Sequence, residues 1–138
     1  SNDNPWFLHL SYIKPHWPYM APAPYHNMYS ANEFYPVHRN ESERNNDHPV
    51  YKAFMENSIS KTFSKDEVRN TVLSGYMGLI KQIDDNLGRL FKFLENNGHM
   101  DDTMIIFTSD HGDYLGDLWL GEKDLFLGAP KKPSWHQP

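Results

Sequence analysis

The sequence has 138 residues, a net charge of −5 and no cysteine. That length suffices for one domain with a real core, while the acidic balance argues against nucleic-acid binding, which normally shows a basic face. The missing thiols exclude disulfides and thiolate metal sites and leave the compartment, cytoplasmic or periplasmic, open. No segment approaches the roughly 20 apolar residues of a membrane span, and no signal peptide is recognisable at the start. Only 38% of residues are hydrophobic, and the prolines gather in the first fifty positions and the tail. Such a composition suits a piece of a larger protein.

In chain order, residues 5–13 form a nearly continuous apolar run, as expected of a strand covered on both faces. Lys14-Pro15-His16-Trp17-Pro18-Tyr19 follows directly. Proline locks φ and removes a donor, so the two prolines end the strand and fix the backbone around His16. A histidine held this way suits a group that must be aimed. The connection over 14–63 is far longer than the usual 4–6 residues, so a functional or partly disordered segment is predicted. Its polar patch from Arg39 to Asp47 is the expected mobile part, and a short helix is predicted from Val50 to Asn57. Asn40-Glu41-Ser42 matches a glycosylation acceptor and reads as chance.

A long helix comes next. Ser64 with Glu67 predicts a capping box, and Tyr76, Ile80, Ile83, Leu87, Leu90 and Leu94 recur at steps of three and four as one core stripe. Asn96-Asn97-Gly98 predicts its end. Gly75, Gly78 and Gly88 lower local propensity, which predicts close packing or a break near Gly75. Asp84 and Asp85 read as solvated or structural carboxylates.

Thr103 to Ser109 is the second predicted strand. Strand, helix, strand gives an α/β fold with a parallel pair joined by a right-handed crossover. Both polar loops then leave carboxyl ends of strands, where open α/β sheets place ligands, and His16 is expected near Asp110 and His111. Asp110 offers oxygen to a hard cation and His111 a neutral ring nitrogen. Lys123, twelve residues beyond His111, would neutralise an anionic substrate. A bare Asp-His pair before glycine also reads as a polar turn. The spacing to Lys123 and the His16 motif favour chemistry.

From Pro5 to Phe126 these motifs resemble the sulfatase and phosphonate monoester hydrolase branch of the alkaline phosphatase superfamily. The specific part is Thr108-Ser109-Asp110-His111-Gly112-Asp113, then Leu115-Gly116-Asp117 and Gly121-Glu122-Lys123. The resemblance implies a partial sulfatase-like fold over 1–126, with a proline-rich, irregular tail over 127–138. It implies that Asp110 and His111 bind a divalent metal, Ca²⁺ or Mn²⁺, and that Lys123 and His16 act on the ester group and its leaving oxygen. The family nucleophile is a formylglycine made from Cys or Ser in a Cys/Ser-x-Pro/Ala-x-Arg motif, upstream with an Asp-Asp metal pair. None of the serines here sits in such a motif, so no nucleophile is expected in this chain, and the formylglycine belongs to a missing N-terminal half. Leu118 stands where close relatives often have a histidine.

The implied function is hydrolysis of a small sulfuric ester (arylsulfatase or choline-sulfatase type) or of a phosphonate or phosphate ester, with the isolated chain inactive. Two alternatives stay open: a two-metal phosphodiesterase of the same superfamily, and a non-catalytic fragment that oligomerises. Unpartnered strands and an uncovered helix stripe predict a homo-oligomer in either case.

Overall fold

Residues 66–96 wind into one helix of 31 residues, Asp66–Asn96. With Pro49–Glu56 as α1 and Ser58–Phe63 as α2, this long helix is α3. Short 3₁₀ turns occur at Tyr25–Asn27, Ala31–Glu33, Glu41–Asn45 and Asp117–Trp119. The computed structural model describes residues 4–121; Lys123 and the tail 127–138 lie outside the described residues. Contacts within the chain define two units. One joins residues up to Tyr29 with Ser74–Thr103, and the other joins Ser30–Leu73 with the residues from Met104 onward.

In the first unit, α3 stays unbroken through Gly75 and Gly78 because the glycines admit another backbone. A Cβ on Gly75 would collide with the Tyr19 carbonyl oxygen, and one on Gly78 with that of Tyr25. The Tyr19 and Tyr76 rings meet edge to face with centroids 5.9 Å apart. The predicted stripe is covered unevenly: Leu94 is buried, while Ile80 is exposed. Leu79, outside the stripe, is buried at 1% exposure. The helix ends as a Schellman motif: Gly98 takes φ +69°, its N–H donates to the Glu95 carbonyl at 3.1 Å, and that of His99 to Leu94 at 2.9 Å.

In the second unit, Pro49 opens α1, where its missing donor costs nothing. Asn57 ends α1 and caps α2, its side chain accepting from the Ile59 N–H at 2.9 Å. Phe54, Phe63, Leu73 and Leu120 are buried here with Ser60. The predicted capping box at Ser64 is corrected. Ser64 closes α2, its N–H bonding the Ser60 carbonyl at 2.8 Å, and α3 begins only at Asp66. The polar patch expected to be mobile contains the 3₁₀ helix Glu41–Asn45, capped reciprocally by Asn40 and Glu43.

The two apolar runs differ most from expectation. Residues 5–13 and 103–109 carry no ladder, and no strand occurs among the described residues. A strand exists only through a paired neighbour, and neither run has one within its unit. The expected parallel pair is thus not seen among the described residues, and Phe7 and Phe107 stand 92% and 78% exposed.

Candidate functional site

His16 lies in the first unit, inside a turn whose backbone the Lys14 ammonium ties together by donating to the carbonyls of His16 at 3.2 Å and Pro18 at 2.8 Å. The His16 N–H donates to Ile13 at 3.1 Å. Its ring Nδ1 is 2.8 Å from the Trp17 carbonyl. A carbonyl can only accept, so this contact assigns the hydrogen to Nδ1 and leaves Nε2 as the outward ring nitrogen.

Asp110 and His111 lie in the second unit, and the same logic applies. His111 Nδ1 is 2.8 Å from the Gly112 carbonyl, which assigns a hydrogen to Nδ1. His111 Nε2 is 3.3 Å from Asp110 Oδ2, while Asp110 Oδ1 accepts the His111 N–H at 3.0 Å. An Nε2–H donated to the carboxylate accounts for this approach, and so does a cation shared by the two atoms. Neighbouring ligands of a divalent ion stand about 3 Å apart, and a backbone carbonyl on the second ring nitrogen is the usual support of a metal-binding histidine. The pair therefore fits two positions of a cation's shell. Ser109 steadies the turn by donating Oγ–H to the His111 carbonyl at 2.6 Å. No cluster of three or more metal-ligating side chains occurs among the described residues.

Beyond this pair, residues 113–121 are fastened to the second unit at many points. Asp113 accepts the Leu115 N–H at 2.9 Å. Asp117 accepts the His38 N–H at 3.0 Å and faces Arg69 at 3.6 Å. The Leu118 N–H donates to His38 at 2.8 Å, and its carbonyl accepts the Tyr51 hydroxyl at 2.6 Å. The Trp119 indole donates to Asn40 at 2.9 Å, and the Gly121 N–H to the Ser60 hydroxyl at 3.2 Å. The stretch holds positive φ at Leu115, Gly116, Leu118 and Trp119. For the three non-glycine residues this costs about 1–2 kcal/mol each, which the anchoring bonds offset. Sequence reading singled out Leu115-Gly116-Asp117 but missed Arg39, which bonds Gly116, and Arg69, which faces Asp117; only the charge of Arg39 within its polar patch hinted at one.

A family model described as Sulfatase matches residues 1–137. The multifunctional alkaline phosphatase superfamily protein PehA of Trinickia caryophylli is 41% identical over 129 residues, covering 84% of this chain and 25% of that protein. The choline-sulfatase of Rhizobium meliloti is 29% identical over 133 residues, 94% of this chain and 26% of the relative. Among solved structures, the phosphonate monoester hydrolase of Silicibacter pomeroyi matches with a TM-score of 0.75 and 34% identity, over 84% of this chain and 25% of that one. The chain thus spans about a quarter of the length of these relatives.

Proposed function

For a chain that belongs to the sulfatase family, we propose a part in the hydrolysis of sulfuric or phosphonic esters. The observation that carries this reading is the Asp110–His111 pair, with Nε2 and Oδ2 turned toward each other at 3.3 Å and Nδ1 tethered to Gly112. Asp110 and His111 would hold a divalent cation, Ca²⁺ or Mn²⁺, completed by ligands beyond this chain. When bound, the cation would offset charge on the ester oxygens. Lys123 would neutralise the transferring sulfuryl or phosphonyl group. His16, with Nδ1–H held by Trp17, would present Nε2; in the imidazolium form it gives that proton to the leaving alcohol oxygen as the ester bond breaks. The nucleophile is not among the residues of this chain. The parallel strand pair expected for residues 5–13 and 103–109 would form with sheet neighbours that complete the fold.

The test is turnover of aryl sulfate and aryl phosphonate esters by the full-length protein with Ca²⁺ or Mn²⁺. His16→Ala is expected to lower kcat by about 10²–10⁴-fold, and Asp110→Asn to abolish the metal dependence. The 138-residue chain alone is expected to show no turnover. A full-length protein inactive on both ester classes, or variants as active as wild type, would overturn the reading.

A further inference from the structure

Arg39 is 94% buried at its side chain yet lies far in sequence from both chemical motifs. Its guanidinium joins three stretches of the second unit. Nε donates to the Gly116 carbonyl at 2.6 Å. Nη2 donates to the Phe63 carbonyl at 2.6 Å, and Nη1 to the Ser64 carbonyl at 3.1 Å and the Asp66 carboxylate at 2.7 Å. Phe63 and Ser64 end α2, where carbonyls lack helical partners and carry the negative end of the dipole. The planar fork that satisfies them also stacks on Trp119, 4.8 Å from the ring centroid.

We propose that Arg39 is a positioning residue for ester hydrolysis, fixing the 114–121 stretch that joins Asp110-His111 to Lys123 onto the junction of α2 and α3. The inference rests on the hydrolase reading above. The geometry argues for placement over simple cohesion. Gly116 is five residues past His111, and Gly121, bonded to Ser60, is two residues before Lys123. In sequence, both chemical groups therefore flank one fastened stretch, and the guanidinium holds it at Gly116, whose φ is +92°. A lysine would keep the charge but cannot reach three carbonyls in one plane.

The test has two parts. In this chain, amide hydrogen exchange at Gly116, Leu118 and Gly121 is expected to quicken in Arg39→Ala, while the amides of α3 from Leu79 to Leu94 keep their rates. In the full-length protein, Arg39→Ala is expected to lose about 100-fold in kcat, the scale of a misplacement near 1 Å, with KM changed less than about threefold. Millimolar guanidinium should restore part of the loss. Arg39→Lys, which keeps the charge if the alanine variant fails to fold, is expected to retain the thermal midpoint and still lose about tenfold in kcat. Arg44→Ala is the control: Arg44 stacks on the same Trp119 ring at 4.6 Å from a half-exposed position, and its loss should leave kcat within about twofold. Wild-type turnover in Arg39→Ala, an equal loss in Arg44→Ala, or exchange that quickens throughout α3 would overturn the inference while leaving the hydrolase reading intact. A wild-type protein without turnover on either ester class would overturn both.

Discussion

At Gly116 the backbone and the packing make the same demand. Its φ is +92°, and an added Cβ would meet Arg39 Nη2 at 2.7 Å, the Phe63 carbonyl at 3.0 Å and Arg69 Cδ at 3.1 Å. Gly116→Ala is expected to destabilise the second unit by about 1–3 kcal/mol, read as a lowered denaturation midpoint. Asp110 and His111 make a different kind of demand. They supply two ligands, whereas Ca²⁺ takes 6–8 oxygens, so calorimetric titration of this chain with Ca²⁺ or Mn²⁺ is expected to show no micromolar site. A tight site lost on Asp110→Asn would mean that other residues complete the shell. Asp85 supplies a pH-dependent contribution. Hydrogen bonds from Lys81 first, and then from Tyr25, hold its carboxyl below the ordinary 3.8. Because the folded value is the lower one, the contribution is present above pH 3.8 and is lost as pH falls through the depressed value. The stability difference between wild type and Asp85→Asn should therefore hold from pH 7 to about 5 and vanish below the depressed value. A difference that grew in acid would refute the assignment.

Within α3 three glycines separate two effects that the sequence could not tell apart. Gly75 and Gly78 face the carbonyls of Tyr19 and Tyr25, whereas nothing lies within 4 Å of a Cβ placed on Gly88. Gly88→Ala should stabilise by about 0.5–1 kcal/mol, the propensity difference alone. Gly75→Ala and Gly78→Ala should destabilise despite the same gain, because a backbone carbonyl cannot swing aside as a side chain can. Comparative thermal melts of the three variants decide this, and the same sign at all three would contradict the packing. The helix itself was legible, with its Asn96-Asn97-Gly98 end and the structural role of Asp84 and Asp85, which Lys81 bridges at 2.8 and 2.7 Å. Its buried face was not, since Leu79 off the predicted stripe is buried and Ile80 on it is exposed. Nor was its first cap. Ser64 and Glu67 have the spacing of a capping box, but α2 reaches Ser64 first, and no local pattern encodes that competition. Arg39 was illegible for the same reason, since its acceptors lie 24 to 77 residues away.

At the scale of the whole molecule, membership of the sulfatase family was legible from Ser109-Asp110-His111-Gly112 and its spacing to Lys123. The sheet was only half legible. Apolar runs announce strands, but a strand's neighbours are encoded elsewhere, and here neither run finds one within its unit. The consequence is exposure. In the first unit Phe7 is 92% and Ile13 82% exposed; in the second, Met104 is 86% exposed beside Ile105, Ile106 and Phe107. Runs of this kind, exposed and without a strand ladder, invite a strand from another chain. The isolated chain is therefore expected to associate through residues 5–13, 104–107 or both. Light scattering on dilute protein should report species larger than one chain, and charged substitutions at the most exposed positions, Phe7→Asp and Phe107→Lys, should shift the population toward single chains. These substitutions remove no buried contact, so they should leave the exchange rates of α3 unchanged. A monodisperse, cooperatively melting single chain would mean that these runs need no partner, and the reading of them as unpaired strands would fall.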